Sequence, residues 1–333
     1  MSHWKPRMQL YQLNDLAHSP IHLPESVLTI GNFDGVHLGH QAMIAKVLQQ
    51  AMQANLASAV MVFEPQPREF FNPETAPPRL TKGAEKSVLI EKLGVDLLIL
   101  ANFDDDFRNL SAPEFAALLQ KLNVKKLVLG DDFRFGHDRT GDSQFLQTFG
   151  FAVQILHTVT DSTPHADRVS STRVRDSLLA GDLATAKHLL GRDYTLTGVV
   201  QHGDKIGRTL DFPTANIALD RIKPALHGIF GVSVVASDGT DLTTFSEDNK
   251  TGGQGLTKGS LFGACNIGTR PSVEGVEWRC EVFFPEFVGD LYDKELTVTF
   301  LHFLHGEKNY QSLEALKRGI KQDVVDLLQW REK

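Results

Sequence analysis

The sequence predicts two domains of different class, an α/β domain on a parallel sheet followed by a small β-barrel with a C-terminal helix. Between Val27 and about Gly150, short apolar runs alternate with longer helix-like stretches, the pattern of a parallel sheet flanked by helices. After Gly191 the pattern changes to strands separated by Gly, Pro and Asp, which suits a barrel. The 333 residues suffice for two separate cores. In order, Val27–Ile30, Ala59–Phe63, Leu97–Leu100 and Leu127–Leu129 read as strands, and Thr172–Leu190 as a helix. The turn Gly191-Arg192-Asp193 puts the boundary there, with domains at 15–190 and 191–333. Ser237–Ser260, polar and glycine-rich, reads as a long surface loop, and Ser312–Trp330 as an amphipathic final helix. No internal repeat is present.

Composition excludes several classes. With 41% hydrophobic residues, 23% charged residues and a net charge of −7, the chain is an ordinary globular protein and a poor nucleic-acid binder. Anionic substrates must be met by local donors. No apolar run approaches the ~18 residues a membrane span needs, and Met1–Leu16 lacks the apolar core of a signal peptide. Cys265 and Cys280 have no second pair, so neither a zinc site nor a disulfide framework is expected, and a reducing cytoplasm fits. Nothing in the sequence assigns an oligomeric state.

The most informative run is Val27 to His40, which reads as strand, glycine turn and helix start. Gly31 and Gly35 allow a tight turn, and Gly39 removes a side chain where a phosphate approaches the first helical turn. His37 and His40 are three apart and share one helix face, where they can donate to nucleotide phosphates as charge builds up. The bland alternative is a pair of surface histidines or a metal site; the strand-turn-helix frame argues against it.

This segment resembles the nucleotidyltransferase superfamily with a His-x-Gly-His motif, a Rossmann-like fold, and within it the bacterial bifunctional riboflavin kinase/FAD synthetases. Phe63–Phe71, Gly130–Gly136 and Val169–Arg175 match that family in order and spacing, and the resemblance runs from about Val27 to Leu328. It implies that an N-terminal FMN adenylyltransferase and a C-terminal riboflavin kinase act on riboflavin, FMN and ATP. In the first half it implies catalysis by His37 and His40 and ATP binding by Gly31, Asn32, Phe33 and Gly39. It gives Asp132, Phe133, Phe135 and Gly136 to the nucleotide and flavin pocket, and Ser171, Thr172 and Arg175 to a polyphosphate clamp. Without the family, the first group is a packed turn after a strand, and Ser171 and Thr172 are an N-cap. FMN brings an ionised phosphate to ATP, so its attack needs alignment and charge stabilisation, with Mg2+ accompanying the triphosphate.

The second half carries Gly203-Asp204-Lys205-Ile206-Gly207-Arg208, then Phe212-Pro213-Thr214-Ala215-Asn216, which resembles the ATP-binding region of riboflavin kinase. Gly203, Lys205 and Gly207 belong to a loop over phosphates, and Thr214 and Asn216 offer oxygen ligands to a magnesium-nucleotide. Gly252–Lys258 lacks the spacing of a P-loop. Riboflavin presents a neutral alcohol, so this reaction needs a positioned base. Glu281, after Asn266–Pro271, stands where the family has its catalytic glutamate; in an alternating strand it otherwise reads as a solvated face. The chain departs from the family at Asp211, Phe283, Asp293 and His305, where glycine, histidine, glycine and arginine are usual. Two alternatives are a superfamily enzyme acting on another small molecule, such as nicotinate mononucleotide or phosphopantetheine, and a barrel that senses flavin with weak kinase activity.

Overall fold

The computed structural model describes residues 8–14, 22–161, 167–202, 212–245, 256–272, 275–285, 287 and 289–333. They form two compact units, Met1–Pro77 with Gly83–Ser171, and Pro78–Lys82 with Thr172–Lys333.

The first unit contains strands β1 (Gln9–Gln12), β2 (Ser26–Ile30), β3 (Ala57–Glu64), β4 (Leu97–Asn102), β5 (Val124–Gly130) and β6 (Ala152–Leu156). Its helices are α1 (Leu38–Ala54), α2 (Pro67–Phe71), α3 (Gly83–Lys92), α4 (Asp105–Arg108), α5 (Ala112–Lys121) and α6 (Ser143–Thr148). The six strands pair in parallel in the order β1-β4-β3-β2-β5-β6. Period-two alternation sends Ala59 and Met61 to one face, with Leu28, Ile30 and α5 residues Phe115 and Leu119, and Val60 and Val62 to the other, with Ile44 of α1 and Ile90 of α3. Burial on both faces is why β2 has no exposed position and is apolar at Val27, Leu28 and Ile30 rather than at alternate residues. The chain runs through β2, β3 and β4 toward one edge, then returns past β2 to β5 and β6. Strand order therefore reverses between β2 and β5, and the loops leaving their carboxyl ends face the crevice where such sheets bind ligands.

The second unit begins with α7 (Ser171–Leu179) and α8 (Leu183–Leu190). Strands β7 (Thr195–Gln201), β8 (Thr214–Ile217), β9 (Gly228–Ala236), β10 (Leu261–Ser272), β11 (Gly275–Phe283) and β12 (Glu295–His305) close an antiparallel barrel in the order β10-β11-β8-β7-β12-β9. Phe230, Val232, Val234, Cys265, Ile267, Cys280, Val282, Leu296, Val298 and Phe300 are buried within it. The two cysteines are free thiols with sulfurs 3.7 Å apart, and burial pushes the Cys265 thiol well up. Helix α9 (Leu313–Arg331) is capped by the Ser312 hydroxyl accepting from the Ala315 N–H at 3.2 Å. It buries Leu327 completely and stacks Trp330 on His302 at 4.8 Å.

Residues 78–82 also pack in this unit. Leu80 is fully buried; its carbonyl accepts from the Tyr194 hydroxyl at 3.0 Å, and Lys82 pairs with Asp220 at 3.3 Å.

The structure differs from the sequence expectation in three places. Thr172–Leu190 is not one helix, because Gly181 adopts φ +75° against the Phe303 ring and Asp182 starts a new helix by accepting from the Thr185 N–H at 2.9 Å. Strands β1 and β6 are additional, and occupy the two edges of the sheet. Ser237–Ser260, of which residues 246–255 lie outside the described residues, is not only surface loop in its described part: it holds a 3-10 turn at Leu242–Phe245 with Leu242 fully buried. Gly191 does end α8, with φ +71° and its N–H on the Lys187 carbonyl.

Candidate active sites

The β2–α1 turn is strained and buried. Phe33, Gly35 and Val36 take φ of 48°, 82° and 42°, yet Phe33 and Val36 are 3% and 1% exposed. A bulky residue and a β-branched residue in this region mark a turn that its surroundings hold in place. Here the core over β3 and β4 does so, through Val60, Val62 and Leu98. Gly31 has no positive φ; its requirement is contact, since a β-carbon there would lie 3.3 Å from the Phe33 ring.

His37 is the N-cap of α1, its Nδ1 accepting from the His40 N–H at 3.3 Å. A ring nitrogen that accepts leaves the proton on Nε2, which is then a donor. The His37 and His40 rings stack at 3.6 Å and 17°, and Phe33 lies 5.0 Å from the His40 ring. A β-carbon at Gly39 would lie 3.1 Å from His37 Cε1 and 3.3 Å from the Val169 carbonyl oxygen. The glycine therefore makes room for the imidazole, where the sequence reading had only phosphate. Asn32 is exposed at the rim. The Ser171 hydroxyl donates to the Asp34 carbonyl at 2.9 Å, which places it on this turn. Thr172 and Arg175 are grouped with the second unit, where Arg175 Nε donates to the Pro78 carbonyl at 2.6 Å.

After β5, Phe135 is 7% exposed and packs in the core with Phe115 and Phe133. Gly136 adopts φ +83°, and a β-carbon there would meet the Ala112 nitrogen at 3.0 Å. These two residues shape the turn by packing. Asp132 is exposed and pairs with Arg168 at 3.3 Å. Gln66, to which the sequence reading assigned no role, is 6% exposed, and its Nε2 is buried without a hydrogen-bond partner. Its place at the end of β3 was legible only as part of the Phe63–Phe71 motif.

In the second unit, Gly203, Lys205, Gly207 and Asp211 lie outside the described residues. Thr214 and Asn216 share one face of β8 and are half-buried. Register places Asn216 opposite Glu281 and Glu281 opposite Asn266, a row across β8, β11 and β10. Cys280 and Val282 on either side point into the barrel, so the row lies on its outer face; Glu281 there is half-buried. Glu307 lies against Gly268, where a β-carbon would overlap its carboxylate, and pairs with His227 at 2.9 Å.

The described departures from the family pattern each have a structural place. Phe283 packs edge-on to Phe212 at 5.2 Å. Asp293 adopts φ +64°, a conformation that suits glycine and that Asp tolerates. His305 places Nε2 2.8 Å from Asp323 Oδ1, tying β12 to α9. Among the described residues no three His, Cys, Asp or Glu side chains gather as a metal cluster, and no helix is long and apolar enough to cross a membrane.

Comparison with known proteins matches two families in succession along the chain. The FAD synthetase family model matches residues 19–173 and the riboflavin kinase model residues 190–330. A bifunctional riboflavin kinase/FMN adenylyltransferase of Pseudomonas fluorescens is 44% identical over 306 residues, covering 90% of this chain and 91% of its own length. The enzyme of that description from Escherichia coli K12 is 39% identical over 305 residues, covering 90% of each. A crystal structure titled macrolide-efflux protein from Streptococcus pneumoniae superposes with a TM-score of 0.75 at 26% identity, over 96% of this chain and 99% of that one.

Proposed function

The chain belongs to the bifunctional riboflavin kinase/FMN adenylyltransferase family, and from that premise we propose how its own residues divide the two reactions. Riboflavin and ATP give FMN and ADP in the C-terminal half; FMN and ATP give FAD and diphosphate in the N-terminal half.

For FAD formation, the supporting observation is the strained, buried turn that presents His37 and His40 at the start of α1. An FMN phosphate oxygen attacks the α-phosphorus of ATP and diphosphate leaves. His37 Nε2 and the His40 ring donate to phosphate oxygens as negative charge builds up, and the α1 N-terminus adds its free N–H groups. Gly31, Asn32, Phe33 and Gly39 form the ATP turn. The polyphosphate role for Ser171, Thr172 and Arg175, and the pocket role for Asp132, Phe133, Phe135 and Gly136, rest on the family resemblance.

For FMN formation, the supporting observation is the row Asn216, Glu281 and Asn266 on the barrel's outer face. Glu281 takes the proton of the terminal riboflavin hydroxyl as that oxygen attacks the γ-phosphorus, and ADP leaves. The Thr214 hydroxyl and Asn216 carboxamide are hard, neutral oxygen donors on one strand face, a set that fits Mg2+ shared with substrate phosphates. When bound, the ion supplies charge neutralisation on the phosphates. ATP binding by the Gly203–Gly207 loop rests on the resemblance. A cytoplasmic location rests on the sequence, whose two cysteines do not make a disulfide framework.

The test is chromatography of products after incubation with riboflavin, ATP and magnesium. FMN and then FAD are expected; absence of either product overturns the corresponding half.

A further inference from the structure

Asn266 stands out on the outer face of the barrel. It lies on β10 directly opposite Glu281, and its Oδ1 is buried without a hydrogen-bond partner. A buried polar atom left unmet is costly, and such atoms are rare enough to need an explanation. The neighbouring Glu307 carboxylate, which lies against Gly268 and pairs with His227 at 2.9 Å, only accepts and so offers this oxygen no donor.

We propose that Asn266 is a specificity-determining residue of the kinase site, and that its carboxamide hydrogen-bonds a riboflavin side-chain hydroxyl next to the one that is phosphorylated. The proposal rests on the assignment of Glu281 as base. Residues directly opposite on antiparallel strands hold their β-carbons about 5 Å apart, so two polar tips in this row reach neighbouring positions on one extended chain. Riboflavin's ribityl chain carries three secondary hydroxyls, one of them on the carbon next to the terminal CH2OH. A hydroxyl suits a carboxamide in either orientation, since it donates to the oxygen or accepts from the nitrogen. A site built this way rejects a substrate lacking that hydroxyl, because the amide is then left unmet.

The test compares riboflavin with a flavin whose side chain is a 5-hydroxypentyl group, which keeps only the terminal hydroxyl. The quantity read is the ratio of kcat/KM for the two substrates. Wild type favours riboflavin, and in Asn266→Ala the ratio falls by at least about tenfold. Asn266→Ser keeps a polar residue on the strand but is too short to reach, and gives the same collapse if the alanine variant folds poorly. A ratio that stays within about threefold of wild type overturns the proposal even if both activities drop, because a merely structural role lowers them together. Glu281→Gln, measured alongside, separates the two readings. Retained turnover there removes the base assignment, whereas lost turnover with an unchanged Asn266 ratio removes only this proposal.

Discussion

Gly39→Ala tests the adenylyltransferase turn without touching a reacting group. The added carbon would lie 3.1 Å from His37 Cε1, 3.2 Å from its Nδ1 and 3.3 Å from the Val169 carbonyl oxygen. Carbon pairs normally rest about 3.5–4.0 Å apart, so the shortfall is roughly 0.4–0.9 Å. The carbonyl is backbone, and the imidazole moves more easily. Its movement breaks the bond from the His40 N–H, already 3.3 Å long, and disturbs the 3.6 Å stack. A cap lost in this way and mild overpacking together cost about 1–3 kcal/mol of stability. Misplacing a charge-stabilising donor by a fraction of an ångström lowers FAD formation by about ten- to a hundredfold. The assay follows FAD from FMN and ATP, and FMN from riboflavin and ATP, in the same preparation. FMN formation should hold. FAD formation within about threefold of wild type would show that the ring's position is immaterial and refute the reasoning.

Three further outcomes follow. His40→Ala should lower FAD formation by about a hundredfold and spare FMN formation; equal loss of both would point to unfolding instead. The fragment Asp193–Lys333, which the change of sequence pattern marks as a free-standing domain, should be destabilised. It lacks the fully buried Leu80, worth about 2 kcal/mol, and loses the hydrogen bond from the Tyr194 hydroxyl to the Leu80 carbonyl, about 1 kcal/mol more. A urea midpoint equal to that of the kinase half in the full chain would contradict this. Burial lowers the His302 pKa from the usual 6.5, so the unfolded chain takes up its proton at higher pH than the folded one. This contribution to stability is full above about pH 6.5 and lost as pH falls through the lowered value. Between about pH 7.5 and 5.5 the urea midpoint of His302→Gln should therefore fall less than that of wild type, and an identical fall would exclude His302.

The strands legible in the sequence were those buried on both faces. Ala59–Phe63 and Leu97–Leu100 are apolar runs because neither side meets water, whereas the edge strand Gln9–Gln12 is half polar and Ala152–Leu156, at the other edge, is interrupted by Gln154 and nowhere fully buried. The helix break at Gly181 was written as Gly-Asp, a stop followed by a cap, but the apolar spacing on both sides reads through it. At the sites, His37 and His40 were legible because both sit on one short segment. The reason for Gly39 was not, since its contacts are a side chain and the distant Val169 carbonyl. Asn266 likewise gains its meaning only from cross-strand register, which residue order alone does not supply. The packing of residues 78–82 with the second unit joins segments over a hundred residues apart, and no local pattern announces it.

The central claim is that the two reactions use separate residues in separate halves, with Glu281 as the base for one. Glu281→Gln keeps the shape and polarity of the side chain and removes its capacity to take a proton. Measured by product chromatography, FMN formation should fall by about a hundred- to ten-thousandfold while FAD formation from supplied FMN continues at the wild-type rate. Kinase turnover within a few fold of wild type, or parallel loss of both activities in a folded variant, would contradict the account.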